Sequence, residues 1–211
     1  MSVNITFLGH AGFLFSDGEH TLCVDPFLTG NDLARHKAEE IECQTIALTH
    51  GHEDHTADAV DIAKRNDAKV IAPFELCNLL ADEGVDNVDP GNPGGRVHTD
   101  FGYIAFTPAF HSSSYKGQYA GQPTGLIIRM ADKCIYHAGD TALFSDMKLI
   151  GEMAKPDIAL IPVGDRFTMG PELGKVAAEY VKPKVAVPIH YKTEGVDVKV
   201  MEPGEQWVYE G

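Results

Sequence analysis

The sequence predicts an α/β sandwich of four layers, in which two β-sheets pack face to face and helices cover their outer faces. Strand-like segments alternate with helical segments along the chain, and in each half antiparallel strands come early and helices later. The 211 residues, of which 44% are hydrophobic and 23% charged, suffice to bury such a core without cross-links. Because no low-complexity segment or short repeat divides the chain, we expect one domain over residues 1–211.

Runs rich in β-branched and apolar residues predict the strands. They cover residues 4–8, 21–25, 45–49, 69–72, 103–108, 125–130, 133–138, 158–162, 185–188 and 206–209. Apolar residues at helical spacing predict helices over residues 57–65, 74–83, 144–153 and 172–181, the last with Pro171 in its first turn. Clusters of Gly, Pro, Asn, Asp and Ser predict turns at residues 16–18 and 89–95.

The charge balance limits the partners that the chain can bind. With a formal net charge of −14 at pH 7 the surface repels polyanions, which argues against an extended interface with nucleic acid. Apolar runs fall short of the roughly 20 residues needed to span a bilayer, and residues 1–7 lack the pattern of a signal peptide, so we expect a cytoplasmic protein. The 4 cysteines are scattered without a CxxC pair and are expected to be buried thiols.

A dense group of metal-binding residue types lies where a predicted strand leads toward a helix. His50, His52, Asp54 and His55 stand within one short segment. An extended backbone sends alternate side chains to the same side, so His50 and His52 can reach one ion. As the chain turns toward the helix predicted after Thr56, Asp54 and His55 can serve a second ion nearby.

The ligand types indicate the kind of metal site. Imidazole nitrogen and carboxylate oxygen together suit zinc, with manganese, iron or nickel as alternatives, and the lack of cysteine argues against a closed structural zinc site. Later residues that directly follow predicted strands can complete a pair of sites, because strand ends collect at one edge of a sheet: His111, Asp140 and His190. Taken alone, each is more often an ordinary loop residue. A polar loop that carries histidines by chance is the alternative for the whole cluster.

Several short sequence motifs resemble those of a known family. The HxHxDH pattern that His50, His52, Asp54 and His55 provide is that of the metallo-β-lactamase superfamily. The chain is especially similar to the small metal-dependent hydrolases related to the L-ascorbate-6-phosphate lactonases. The other matching motifs are LGH (8–10), VDPFL (24–28), TPAFHSS (107–113), YHAGDT (136–141), RFTMGP (166–171) and PIHY (188–191).

The resemblance implies a metallo-β-lactamase-type αββα four-layer sandwich that holds two divalent metal ions. It implies the ligands residue by residue: His50, His52 and His111 on the first ion, Asp54, His55 and His190 on the second, and Asp140 between both. It also implies a histidine at the mouth of the site, matched by His10, and an aspartate that orients a ligand imidazole, matched by Asp25.

The chain departs from the family pattern at two places. Relatives usually carry Gly-Gly-Arg where this chain has Gly164-Asp165-Arg166, which adds a carboxylate near the expected substrate loop. After Tyr191 relatives usually insert a longer loop and a helix, whereas residues 192–197 lead almost directly to a strand predicted at Val198. This shorter segment leaves that rim of the pocket open to question, together with any subunit contact there.

These residues predict a hydrolase that uses a metal-bridging hydroxide on a small ester, lactone or phosphoester substrate. We expect Asp54 to be a ligand first and to pass a proton to the leaving group second, and Asp140 to hold the bridging position. His10 either hydrogen-bonds a developing oxyanion or a substrate phosphate, or is structural. Arg166 either grips an anionic substrate group or bridges carboxylates. The serines at 112–114 are not expected to be nucleophiles, because the histidines that would activate them bind metal.

Other function classes stay open. A nuclease-like phosphodiesterase would need a basic groove, and an oxygen-reducing di-iron protein would carry Glu at position 52 and a flavin-binding partner domain. A metal-dependent binding protein without turnover would keep the ligands and lack activity. We expect the partner to be a small molecule, anionic if Arg166 binds it, and neither nucleic acid nor a membrane; a homo-oligomer is an alternative to a monomer.

Overall fold

The computed structural model describes residues 2–191 and 204–209, and within them the chain forms two larger β-sheets. The strands of the first sheet are β1 (Val3–Gly9), β2 (Gly12–Ser16), β3 (Thr21–Val24), β4 (Thr45–Ala47), β5 (Lys69–Pro73), β6 (Val88–Gly91) and β15 (Gln206–Tyr209). Those of the second are β7 (Arg96–Thr99), β8 (Gly102–Pro108), β11 (Thr124–Met130), β12 (Lys133–His137), β13 (Ile158–Pro162) and β14 (Val185–Ile189). A separate hairpin consists of β9 (Ser114–Tyr115) and β10 (Gln118–Tyr119). The helices are a 3-10 turn (Ala38–Glu40), α1 (Glu53–Thr56), α2 (Ala59–Asn66), α3 (Phe74–Asp82), α4 (Met147–Ala154) and α5 (Pro171–Val181).

Each sheet is antiparallel on one side and parallel on the other. The first sheet has the order β15-β1-β2-β3-β4-β5-β6 and is parallel from β3 onward. The second has the order β14-β13-β12-β11-β8-β7 and is parallel from β14 to β12. Parallel neighbours need a crossover connection, which the segment with the 3-10 turn and helices α1 to α3 provide in the first half, and α4 and α5 in the second. The predicted succession of antiparallel strands and then helices in each half is therefore confirmed.

Three clusters of buried hydrophobic residues fill the spaces between the layers. On β11, Leu126 and Ile128 pack in the core between the sheets, whereas Ile127 packs on the side of α4 and α5. Ile62 of α2 and Leu76 of α3 pack on the outer face of the first sheet. Because both faces of each sheet are covered, the strands read as nearly continuous apolar runs. The four-layer α/β sandwich predicted from the sequence is confirmed.

The prediction of one turn over residues 89–95 is wrong in its first part, because β6 covers Val88–Gly91. β6 is the last strand of the first sheet, and Pro90 pairs there in parallel register with Ala72. An edge strand tolerates proline, so pairing with β5 overrides the turn chemistry of Asp, Pro and Gly. The sequence pattern also fails to predict the strands β2 and β7 and the β9-β10 hairpin. These segments form strands because each pairs with a neighbouring strand.

The segment after β4 becomes helical earlier than predicted. α1 covers Glu53–Thr56, so Asp54 and His55 lie on a helical turn rather than ahead of the helix. The carbonyl oxygen of His52 accepts hydrogen bonds from the backbone amides of His55 and Thr56, which closes this turn. The helix predicted over residues 57–65 is α2, separated from α1 by a short break.

All four cysteines are free and buried, as the sequence predicts. Among the helices that the structure describes, none combines the length and the apolar character needed to cross a membrane. The segment 192–197 and the strand predicted at Val198 lie outside the described residues.

Candidate metal centre

The predicted site residues meet at one edge of the sandwich, where strands of both sheets end. They follow β1, β3 and β4 in the first sheet and β8, β12 and β14 in the second, in this order: His10, Asp25, His50, His111, Asp140 and His190. His52, Asp54 and His55 continue from His50 into α1. All residues predicted as metal ligands fall into three overlapping groups, and within each group the ligand atoms lie within 4.8 Å of one another.

The first group consists of His50, His52 and His111. Nε2 of His50 lies 3.0 Å from Nδ1 of His52, and the rings of His50 and His52 lie 5.2 and 5.1 Å from that of His111. Burial lowers the pKa of all three imidazoles, and for the fully buried His50 well below its ordinary value. Neutral imidazoles carry the lone pairs that a divalent metal needs.

The second group consists of His10, Asp54, His55 and His190. Oδ2 of Asp54 lies 3.0 Å from Nε2 of His10 and 3.6 Å from Nε2 of His190. Burial favours the neutral acid, but the contacts with His10 and His190 outweigh it and hold the pKa of Asp54 far below its ordinary value. His10 belongs to this group of candidate ligands, whereas the sequence predicts it only at the mouth of the site.

Asp140 lies between these two groups and forms the third group with His50 and His55. Its Oδ2 atom lies 3.1 Å from Nε2 of His190 and 3.6 Å from Nε2 of His111, and its Oδ1 atom lies 3.3 Å from Nε2 of His55. Burial opposes the charge, yet the neighbouring His55 and His190 hold the pKa of Asp140 well below its ordinary value. One carboxylate thus reaches histidines of both groups, as a bridging ligand has to.

The atoms at the centre of the cluster fit divalent cations. Within the described part of the chain, the buried atoms Nε2 of His55 and Oδ1 of Asp140 lack a hydrogen-bond partner although they lie 3.3 Å apart. A buried polar atom without a partner is unfavourable, and a cation between the two atoms would satisfy both. The donors in all three groups are imidazole and carboxylate, a set that suits zinc, manganese, iron or nickel.

Without a cation, the carboxylates draw protons onto two of the histidines. Burial opposes protonation of His55, but Asp140 and Asp25 outweigh it and raise the pKa of His55 well above its ordinary value. Burial also opposes protonation of His190, yet Asp140 and Asp54 raise its pKa to about 9. Because only the neutral imidazole binds a metal, a cation in this cluster has to displace these protons.

Asp25 holds His55 from the side opposite the cluster. The fully buried carboxylate accepts hydrogen bonds from the backbone amide of Thr49 at 2.8 Å, from Oγ1 of Thr49 at 2.6 Å and from Nδ1 of His55 at 2.7 Å. With Nδ1 bound to Asp25, the imidazole of His55 turns its Nε2 atom toward Asp140. Thr49, whose amide binds this carboxylate just beyond the end of β4, is not predicted as a site residue from the sequence.

Three site residues have an unusual backbone conformation. The φ angle is +57° at His10, +45° at Asp25 and +55° at His190, in the left-handed region that residues other than glycine rarely adopt. The backbone amide of His190 donates a hydrogen bond of 2.9 Å to the carbonyl oxygen of His10, which joins the ends of β1 and β14. Strain of about 1–3 kcal/mol per residue persists only where the surroundings hold it, so these turns are rigid supports for their side chains.

The loop between β13 and α5 carries Arg166. Gly164 packs so closely on His190 that a β-carbon would overlap the carbonyl oxygen of His190. Asp165, at the position where relatives usually have glycine, has a φ angle of +71°. The Arg166 guanidinium lies 5.2 Å from the ring of Phe167, both residues are exposed, and among the described residues Arg166 has no carboxylate partner. Its donors therefore face solvent.

Two further residues near the cluster are not predicted as site residues. Oγ of Ser113 accepts a hydrogen bond of 3.1 Å from the backbone amide of Gly51, between two candidate ligands. His137 is fully buried, and its Nε2 atom lies 2.8 Å from the carbonyl oxygen of Ala11. Ser113 lies in the motif TPAFHSS and His137 in the motif YHAGDT, but only contacts between distant segments reveal what they bind.

Known proteins resemble this chain over nearly its whole length. Residues 4–190 match the model of the Beta-lactamase superfamily domain. A UPF0173 metal-dependent hydrolase from Anoxybacillus flavithermus (strain DSM 21510 / WK1) is 48% identical over 196 residues, which cover 90% of this chain and 87% of the relative. Igni18, a novel metallo hydrolase from the hyperthermophilic archaeon Ignicoccus hospitalis KIN4/I, is 35% identical with a TM-score of 0.90, and 100% of each chain is covered.

The fold is shared more widely than the sequence. The metallo-beta-lactamase fold protein YhfI from Bacillus subtilis is 14% identical, with a TM-score of 0.77 over 99% of this chain and 100% of that one. This likeness concerns the fold alone, and it confirms the metallo-β-lactamase-type sandwich that the resemblance implies. From the matched domain and the close relatives it follows that the chain belongs to the metallo-β-lactamase superfamily, among the UPF0173 metal-dependent hydrolases.

Proposed function

We propose that the chain is a binuclear hydrolase that cleaves a small ester, lactone or phosphoester. The ions would be held as the resemblance implies: the first by His50, His52 and His111, the second by Asp54, His55 and His190, and both by Asp140. Zinc is the first choice, with manganese, iron or nickel as alternatives. The observation that carries the proposal is the position of Asp140. Its oxygens reach histidines of both groups, and its Oδ1 atom has no hydrogen-bond partner in the described chain.

When bound, a pair of divalent ions supplies water acidified toward neutral pKa and an electrophile that polarises the substrate's carbonyl or phosphoryl oxygen. Asp54 is suited to move the proton. Its Oδ2 atom accepts a hydrogen bond from Nε2 of His10, and its side chain is 39% exposed, so a substrate in solution can reach it. Because the contacts with His10 and His190 hold the pKa of Asp54 far below its ordinary value, its carboxylate is ionised and can accept a proton. We infer that Asp54 takes the nucleophile's proton on Oδ2 during the reaction and passes it to the leaving group, while His10 either orients Asp54 or donates to the developing oxyanion.

Arg166 supports an anionic group on the substrate. Its exposed guanidinium stands on the loop whose Gly164 packs against His190, and we propose that the anionic group of the substrate binds there, beside the second set of ligands. A guanidinium matches carboxylate or phosphate with two parallel hydrogen bonds. A lactone or ester that carries a phosphate or carboxylate is therefore the substrate class we propose first.

A phosphodiesterase and a metal-dependent binding protein are the competing functions. The formal net charge of −14 disfavours a long polyanion such as nucleic acid, although it does not disfavour a small phosphodiester at the metal centre. A binding protein would hold the same ions and turn nothing over. Assays on the loaded protein separate these alternatives.

Replacement of Asp140 tests the proposal most directly. The protein is loaded with zinc or manganese and assayed on small esters, lactones and phosphodiesters before and after chelation. We expect two ions per chain and turnover that chelation abolishes and added metal restores. In Asp140→Ala we expect loss of at least one ion and a fall in kcat of roughly 100-fold or more.

Asp61→Ala, which removes an exposed carboxylate from α2, is the matched control and should keep both ions and full turnover. If the Asp140→Ala protein hydrolyses substrate normally with both ions bound, the bridging role is wrong. A loaded wild-type protein that is inert on the whole panel would favour the binding protein.

A further inference from the structure

His137 contacts two of the turns that carry candidate metal ligands. It is the last residue of β12, and its side chain is fully buried. Its Nε2 atom lies 2.8 Å from the carbonyl oxygen of Ala11, the residue after His10. Its Nδ1 atom lies 3.1 Å from the backbone amide of Gly139, the residue before Asp140. One imidazole therefore connects the end of β1 in the first sheet with the end of β12 in the second.

The two partners define the tautomer of His137. A carbonyl oxygen can only accept a hydrogen bond, so Nε2 carries the proton and donates it to Ala11. A backbone amide can only donate, so Nδ1 is unprotonated and accepts from Gly139. Both ring nitrogens are thus occupied by main-chain groups, which agrees with the position of His137 outside the groups of candidate ligands.

The two turns leave little room for another arrangement. Gly139 has a φ angle of +62°, and a β-carbon there would lie 2.6 Å from the carbonyl oxygen of Thr124. His10 is itself in the left-handed region and accepts a hydrogen bond from the backbone of His190. Buried backbone amides and carbonyls require partners, and His137 supplies one to each turn.

The geometry points to His137 as a positioning residue that holds the turn of Asp140 through the amide of Gly139 and so fixes this carboxylate between the two metal sites. This inference rests on the proposed binuclear site. Hydrogen-bonding residues behind metal ligands change metal affinity roughly 10- to 100-fold when they are replaced. Loss of the Gly139 contact frees the turn of Asp140, the proposed bridging ligand. Loss of the Ala11 contact frees only the turn of His10, which is not a ligand of either ion in the proposed site.

Partial isosteres separate the two contacts. In His137→Asn the amide oxygen takes the place of Nδ1 and can accept from Gly139, but the side chain is too short to reach Ala11. In His137→Gln the amide nitrogen takes the place of Nε2 and can donate to Ala11, but Gly139 loses its acceptor. His137→Leu removes both contacts. Tyr136→Phe is the matched control, because Tyr136 precedes His137 on β12, is fully buried and packs toward the helices instead.

Cobalt titration of the metal-free variants provides a readout that does not depend on turnover. Visible absorption reports the geometry around Co²⁺, elemental analysis gives the stoichiometry, and urea unfolding of the metal-free protein is measured separately. We expect His137→Leu and His137→Gln to weaken the more weakly held Co²⁺ roughly 10- to 100-fold and to change its spectrum. His137→Asn and Tyr136→Phe should keep the affinity of the wild-type protein.

Wild-type cobalt affinity and spectrum in a folded His137→Leu protein would overturn the inference and leave the proposed function standing. Equal losses in the Asn and Gln variants, in proportion to lowered stability, would also overturn it, because His137 would then only support the fold. Should the Leu variant fail to fold, the contrast between Asn and Gln decides. A wild-type chain that binds fewer than two cobalt ions would overturn the proposed function and the inference with it.

Discussion

Asp25 and Asp58 are both buried carboxylates that accept hydrogen bonds from backbone amides of distant segments. Oδ2 of Asp58 accepts from the amides of residues 28 and 29 at 2.7 and 3.0 Å. Asp25 accepts from the amide and hydroxyl of Thr49 and, in addition, from Nδ1 of His55. The two residues thus support the fold in similar ways and differ in their relation to a candidate metal ligand.

Asp25→Asn therefore separates the support of the fold from the orientation of His55. The new amide group donates where the carboxylate accepted, so at least one buried donor loses its partner and unfolding becomes easier by about 1–3 kcal/mol. We also expect zinc affinity to fall roughly 10- to 100-fold, because the imidazole of His55 is no longer held. Urea unfolding of the metal-free protein and zinc titration measure the two effects.

Asp58→Asn is the control for this change, since it should lose similar stability and keep the zinc affinity of the wild-type protein. Unchanged zinc affinity in a folded Asp25→Asn protein would show that His55 is oriented without Asp25. Equal losses of zinc affinity in both variants would mean that general softening of the fold, rather than the contact with His55, weakens the site.

At the scale of elements, the sequence predicts the strand ends that carry ligands better than the contacts that hold them. The cluster from His50 to His55 is recognisable because its ligand types are adjacent in the chain, and strand ends collect at a sheet edge whatever the details of packing. The contacts of Thr49 and His137 join segments far apart in sequence, so periodicity and propensity carry no trace of them. For the same reason β6 is predicted as a turn, because it forms a strand only through its pairing with β5.

The loop that follows β13 provides a test at this scale. In Gly164→Ala a β-carbon would overlap the carbonyl oxygen of His190, so the end of β14 has to shift. We expect the metal-free protein to lose about 1–3 kcal/mol of stability, as overpacked sites do, and zinc affinity to fall with the displacement of His190.

Gly151→Ala is the matched control because its β-carbon would overlap the carbonyl oxygen of Val181 at the contact between α4 and α5. That variant should lose comparable stability and bind zinc as the wild-type protein does. If zinc affinity is unchanged in Gly164→Ala, the close packing of the loop on His190 does not position this residue.

For the whole molecule, the cluster matters because it joins the two sheets. His10 and His55 come from the first sheet and its connections, whereas Asp140 and His190 follow strands of the second. A ligand that binds the folded chain across this junction and not the unfolded chain raises the free energy of unfolding, by about 2.7 kcal/mol per site at a free concentration 100 times its Kd. We therefore expect chelation to lower the stability of the loaded protein.

The same cluster makes the stability of the metal-free protein depend on pH. Burial opposes the charge on His190, but Asp140 and Asp54 raise its pKa to about 9, above the ordinary value of 6.5 that applies to the unfolded chain. Between these values the folded chain binds more protons than the unfolded one, so this contribution is complete below about pH 6.5 and is lost as the pH rises through about 9. His55, whose pKa is raised in the same direction, adds to the effect.

We accordingly expect the urea midpoint of the chelated protein to fall between about pH 6.5 and 9, and that of the zinc-loaded protein to hold or rise, because bound zinc requires neutral His190. His190→Asn, measured metal-free, should have a flatter profile over this range because the group that loses its proton is gone. Measurement of the three profiles in one buffer series isolates this contribution from titrations elsewhere in the chain. If the chelated wild-type protein and His190→Asn share the same slope, the carboxylates do not hold a proton on His190 and this electrostatic account of the cluster is wrong.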